Sequence, residues 1–200
     1  MNTFVLSFDP QEAASFHCDK HVVKMILESA QMLSTAHWLH LLYLKNKTIS
    51  DFKRVKDARS WIKENFSESL FPPYAMTHVR HPCTLWTAEN LSNYNWQLSL
   101  CEYLLEEYTK RYNREHLTKS KMLWLKENAP LNIKNEEMTL FSVCMKDEYK
   151  IYDSRGMIDV VESYRNYYIK DKSRFAKWKL PSTPPEWFLK GVNSEQRRLK

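Results

Sequence analysis

Residues 84–112 read TLWTAENLSNYNWQLSLCEYLLEEYTKRY, and within them Leu91, Tyr94, Leu98, Cys101, Leu104 or Leu105, and Tyr108 recur every three to four residues. That is the period of a helix with one apolar face, so the stretch is read as a long amphipathic helix. His81-Pro82 marks the boundary before it. Further upstream, FPPY (71–74) ends a short helix expected over about 53–66, because proline cannot continue a helix. KNKTISDFKR (45–54) is polar and loop-like. At the N-terminus TFVLSF (3–8) is a short β-type run that stops at Asp9-Pro10. A helix starts there: Asp9 can cap it, Pro10 suits its first position, and Glu12 follows the cap by three residues. The helical pattern continues to about Leu44 with a break near Ser15. Downstream, 130–152 is mixed and loop-rich and 157–178 is helical. PSTPPEW (181–187) cannot be a helix interior and belongs to a basic, aromatic C-terminal segment from about 179. The expected fold is mainly α: a compact helical single domain over 1–200 with a short N-terminal strand or extended segment.

Composition excludes several function classes. The chain has 200 residues, 43% apolar and 27% charged, which is the balance of a folding chain and not of a disordered one. Its 2 glycines, Gly156 and Gly191, cannot supply a glycine-rich phosphate loop, so P-loop and dinucleotide-binding readings fall away. Net charge is 30 − 24 = +6. The excess is segmental, with seven Lys or Arg against Asp51 and Asp57 in 45–63. Residues 165–200 carry ten basic against three acidic side chains, interleaved with Tyr167, Tyr168, Phe175, Trp178, Trp187 and Phe188. Phosphate contacts with base stacking use that mixture, and so does a solvated basic face whose aromatics enter the core. Cys18, Cys83, Cys101 and Cys144 show no C-x-x-C spacing, which argues against a zinc ribbon or a thioredoxin motif and for a reducing compartment. No apolar run approaches the roughly 20 residues of a membrane span, so a cytoplasmic protein without a membrane partner is expected.

On the helix after Asp9, His17, His21, Lys24, Glu28, Gln31 and Thr35 follow one another at spacings of 4, 3, 4, 3 and 4, as one polar stripe amid apolar positions. The stripe lines a cleft or is the one wet edge of a core helix. As a cleft, it offers Glu28 as a carboxyl for acid–base work, His21 to share its proton or contact a phosphate, and Lys24 as a cation or imine-forming amine. Lys24–Glu28 is equally an ordinary i, i+4 ion pair. His17 and His21 could hold two positions on a metal with His37, His78 or His81 as a third. Cys18 stands where H-E-x-x-H requires its glutamate, however, and no metal site is assigned. A second patch, Thr77-His78-Val79-Arg80-His81-Pro82-Cys83, crowds a helix entrance, where Arg80 and His81 suit a phosphate. Asn93 and Tyr94 beyond it offer amide and stacking groups to a nucleobase, or belong to a core ladder.

Two runs, CDKHVVKMILESAQMLSTAH (18–37) and HPCTLWTAENLSNYNWQLSLCEYLLEEYTKRY (81–112), with DEYK and YRNYYIKDK, resemble small proteins encoded by tailed bacteriophages, a family to which we attach no reaction. The resemblance is nearly chain-wide and implies the cytoplasm of an infected host cell. A second, local likeness is to phage-type pyrimidine-dimer DNA glycosylases, compact helical enzymes whose first long helix carries Asp-x-His and then a catalytic Glu seven residues beyond the His. Asp19, His21 and Glu28 match that pattern, and SYRNYYIKDK, containing Arg165, is similar to their aromatic-basic ending. The likeness implies a catalytic carboxylate at Glu28, a DNA- or sugar-phosphate contact at His21, and base flipping. In that family the nucleophile is an amine exposed by removal of the initiator Met. Asn2 is bulky for that step, which leaves Met1's own amine or Lys24.

The expected function is action on DNA or a nucleotide, by cleavage of an N-glycosidic bond with Glu28, His21 and Lys24 as catalytic groups. His17, Arg80, His81, Asn93, Tyr94 and Arg165 are the expected nucleotide or phosphate contacts. The alternative is a binding protein that sequesters a nucleotide or nucleotide-derived host defence signal. A ligand-free phage–host interaction protein is a third reading. No cofactor is expected, and the sequence does not fix an oligomeric state.

Overall fold

The fold is organised around one largely buried helix. In the computed structural model, which describes residues 1–198, α1 (Pro10–Phe16) leads into α2 (Asp19–Tyr43). Most of α2 is buried: Val22, Met25, Ile26, Ala30, Met32, Leu33, Ala36, Leu39 and Leu42 are at most 2% exposed. Burying a side chain of Leu or Ile size stabilises by about 1.5–3 kcal/mol, so α2 is the main apolar contributor. Around it lie α3 (Val55–Asn65), α4 (Pro82–Glu89), α5 (Leu91–Tyr112) and α6 (Lys119–Glu127). After a long irregular strap come a two-stranded antiparallel hairpin, β1 (Ile151–Tyr152) and β2 (Ile158–Asp159), then α7 (Val160–Tyr167) and α8 (Glu186–Arg198). The hairpin pairs Ile151 with Asp159 and Tyr152 with Ile158, and Gly156 takes the left-handed position in its turn at φ +77. The mainly α expectation holds. No helix among the described residues is long and apolar enough to cross a membrane.

Local signals explain the boundaries. Asp9 caps α1 by accepting from the Glu12 amide at 2.7 Å, with Pro10 in the first turn. The break after α1 falls at His17-Cys18, two residues beyond the expected one. The long stretch at 84–112 is two helices, because Asn90 is extended and its side chain caps α5 by accepting from Asn93 N at 2.9 Å. Asn113, in the left-handed conformation at φ 51, ends α5. Residues 3–8 form no strand; they thread as an extended segment through the core, with Val5 and Leu6 fully buried. α6, α8 and the hairpin were not read from the sequence. Leu199 and Lys200, the end of the basic segment, lie outside the described residues.

The strap over 128–146 has no regular secondary structure, so its backbone groups find side-chain partners on α4 and α5. Ser92 donates to the Glu136 carbonyl, Asn90 to that of Glu137, and Asn93 both donates to Thr139 Oγ1 and accepts from Thr139 N. Opposite, Arg111 is fully buried on α5 and uses all five of its N–H groups. These reach Glu107 Oε2 (2.9 and 2.7 Å), Asp19 Oδ1 (3.1 Å) and the carbonyls of His17 (2.8 Å) and Ser15 (3.1 Å). The guanidinium thus pins the α1–α2 break onto α5. Ser182 donates to the same Glu107 oxygen at 2.8 Å, which ties down the proline-rich segment before α8.

Candidate functional site

The exposed edge of α2 is narrow and carries Lys20, Val23, Lys24 and Leu27, with Glu28 and Gln31 half-buried beside them. Lys24 extends into solvent, 64% exposed, and its Nζ lies 3.1 Å from Glu28 Oε1. The Glu28 side chain is only 13% exposed, and its other oxygen lies 3.7 Å from the α-nitrogen of Met1. Met1 is half-buried as a residue while its side chain is 1% exposed, so its accessible part is the main-chain end that faces Glu28.

The N-terminal segment is held in this position from several sides. Asn2 Nδ2 donates to the Cys144 carbonyl at 2.8 Å, and Asn2 Oδ1 accepts from Tyr164 Oη at 2.8 Å. Thr3 Oγ1 donates to Gln97 Oε1 at 2.8 Å, and Gln97 Nε2 donates to Ser29 Oγ at 2.8 Å, linking the segment to α5 and α2. Phe4 stacks on His21 with ring centroids 4.3 Å apart. His81, the cap of α4, completes the surroundings of Glu28. Burial lowers its pKa first, then the positive charges of the Met1 nitrogen and His78, while Glu28 opposes them.

Glu28 therefore sits between the Met1 nitrogen on one oxygen and Lys24 on the other, with His81 close enough to feel the charges of both Met1 and Glu28; the other expected site residues do not join them. His17 lies off the α2 stripe because it ends α1 with extended backbone. It is sealed in the core, donates from Nδ1 to the Ala13 carbonyl at 2.7 Å, and is pushed down to about 4, first by burial. His21 is buried among Phe4, Phe175 and Tyr168 and hydrogen-bonded to Tyr168 Oη. Its pKa falls to about 2, through burial and then the charges of His17, Lys172 and Lys24. Seven residues of helix rise set it about 10 Å from Glu28, too far to share a proton. Asn93 is committed to Trp86 O and Thr139, and Tyr94 donates to the Leu125 carbonyl at 2.9 Å and meets His37 Nε2 at 3.0 Å. Both are core groups with no face for a nucleobase. Arg165 donates to the Leu6 carbonyl at 3.1 Å, pairs with Glu162 and lies over the Phe16 and Trp187 rings, so it serves packing. Arg80 is exposed and makes no ion pair among the described residues, which leaves it available to an anion.

Two groupings escaped the sequence reading. One is the Arg111 centre. The other is His81, Cys83 and Cys144, whose ligand-type atoms lie within 4.8 Å of one another; this is the group of metal-ligand chemistry among the described residues. Cys83 and Cys144 are 61 positions apart, beyond any local spacing rule. Of the histidines weighed for a metal, His17 and His21 pack together in the core with ring centroids 6.3 Å apart, His37 is a core group beside Tyr94, His78 is exposed, and His81 alone joins the two cysteines. Bordering this region at Pro82 and Ser142 is a cleft of about 720 Å³ lined also by His40, Tyr43, Trp86 and Lys134, and a groove of about 1040 Å³ lies between α5 and α6. No family model, curated protein or solved structure matches this chain.

Proposed function

We propose that the protein acts on DNA or a nucleotide in an infected host cell and cleaves an N-glycosidic bond at the Met1–Glu28 pair. The observation that carries this reading is the approach of an α-nitrogen to within 3.7 Å of a carboxylate that is itself 13% exposed. An amine attacks the anomeric carbon of a nucleotide, the base leaves with a proton, and ring opening yields an imine. A carboxylate beside the amine can take its proton and stabilise the oxocarbenium-like charge. Lys24 and Arg80, both exposed, supply cations for the substrate phosphate. His21 acts here only by stacking under Phe4 and so fixing the N-terminal segment.

Borohydride reduction in the presence of damaged or abasic DNA tests the reading. We expect a covalent adduct that peptide mapping assigns to the Met1 nitrogen, in a chain whose intact mass retains a free amine. An adduct on Lys24 alone, or none with active protein, counts against the Met1 assignment. The 720 Å³ cleft supports the second reading, nucleotide capture, since its size suits a nucleotide and Tyr43, Trp86 and Lys134 line it. Under that reading a nucleotide copurifies and no base is released.

A further inference from the structure

We propose that His81, Cys83 and Cys144 form a zinc site, a three-ligand centre that joins the start of α4 to the end of the strap. The proposal does not depend on the glycosidic reading. Its basis is geometric. The Cys83 sulfur lies 3.5 Å from the Cys144 sulfur, and one His81 nitrogen completes a trio within 4.8 Å. Two sulfurs bound to one tetrahedral zinc at about 2.3 Å sit about 3.8 Å apart, whereas a disulfide requires about 2.05 Å. The separation thus fits two sulfurs sharing a metal.

The donor set selects the metal. Two thiols and an imidazole suit zinc, whereas calcium and magnesium require oxygen ligands. Of the four cysteines, Cys18 and Cys101 lie in the core at 0% exposure, while Cys144 is half-buried and gives an ion a route in. Oxygens stand near the trio: Asn2 Oδ1 is 3.7 Å and the Ser142 carbonyl 3.8 Å from Cys83 Sγ. The fourth ligand is an oxygen from this set or a water.

The place in the fold gives the site a task. Residues 128–146 are long for a segment without secondary structure inside a packed domain, and such segments need ties. Asn90, Ser92 and Asn93 fasten the strap's middle, as described above. A zinc at its far end would fasten Cys144, whose carbonyl accepts from Asn2, and so also fix the segment that carries Met1. Binding converts two thiols to thiolates, so each zinc releases up to two protons to the buffer as two Zn–S bonds form.

The test uses the full chain purified under reducing conditions, with zinc alone and cobalt(II) alone as probes. We expect one zinc per chain by mass spectrometry. Cobalt should give a thiolate charge-transfer band and the strong visible bands of tetrahedral coordination, both abolished by one equivalent of zinc. Cys83→Ser and Cys144→Ser should each weaken binding at least a hundredfold and His81→Ala at least tenfold, whereas Cys101→Ser keeps the full band. Should the cysteine variants fail to fold, proton release and the cobalt spectrum of the wild-type chain still decide. Folded, reduced wild-type protein that retains no zinc and gives no thiolate–cobalt band overturns the proposal. So does a full band in the Cys83→Ser/Cys144→Ser double variant, or a Cys83–Cys144 disulfide in a chain that, once reduced, binds neither metal.

Discussion

The centres around Arg111 and Glu28 each surround a buried or half-buried charge on a long helix, and they differ in how fully that charge is matched. At Arg111 every donor has a partner, two carboxylates share the cation, and the residue is 2% exposed. At Glu28 one partner is a solvent-exposed lysine and the other is a nitrogen at 3.7 Å, longer than a hydrogen bond. A closed network fixes helices to one another, and an open one leaves capacity for a further group. The comparison teaches that Arg111 belongs to stability, whereas Glu28 keeps the open capacity on which the proposed chemistry rests, although both resemble helix ion pairs in the sequence.

The comparison breaks most readily at Arg111. Arg111→Ala leaves the Glu107 and Asp19 carboxylates without their central cation, so urea unfolding should show a loss of about 3–5 kcal/mol. A loss under about 1 kcal/mol would mean that the network is not what holds the α1–α2 break to α5.

Acidification comes next. His17, His21 and His37 are held neutral, at about 4, 2 and 3, chiefly by burial. Because these values lie below the ordinary 6.5, the unfolded chain binds more protons as pH falls. Stability is therefore full well above pH 6.5 and declines through it, by about 1.4 kcal/mol per histidine at pH 5.5. Glu107 acts at lower pH: burial alone would raise it, but hydrogen bonds from Lys110, Ser182 and Arg111 hold it below the usual carboxylate range. Its stabilisation is present above the unfolded value and lost as pH falls through the folded one. Urea midpoints from pH 7.5 to 4.5 should trace this decline, and a flat profile would contradict the buried, neutral state of the three rings.

The smallest stability effect belongs to Lys24→Ala. An exposed i, i+4 pair contributes about 0.3–0.5 kcal/mol, so the melting temperature should barely move. A large drop would place the Glu28 centre in the same class as Arg111.

Helix period and capping made much of the fold legible. Asp9-Pro10 started α1, the Pro72-Pro73 pair separated α3 from α4, and three-to-four spacing found α5. The same spacing hid the Asn90 break, because an asparagine that caps a new helix resembles one more polar position within an old one. For Asn93 and Tyr94 the core-ladder alternative holds over the nucleobase one, and side-chain type does not reveal that the strap covers Asn93 or that Leu125 and His37 enclose Tyr94. The stripe on α2 gave Lys24 and Glu28 correctly as neighbours, but it mixed in His17, which belongs to the preceding turn, and His21, which faces the aromatic core. Cys83 and Cys144 approach only through tertiary folding, so no spacing could have joined them.

The central claim is that Glu28 serves chemistry and not stability, and Glu28→Gln tests it most directly. The isostere keeps volume and most hydrogen bonding. With base release measured on nucleotides and damaged DNA beside thermal unfolding of both proteins, the account predicts that turnover is lost while the melting temperature stays within a few degrees of wild type. Full activity in a stable Glu28→Gln protein would contradict it.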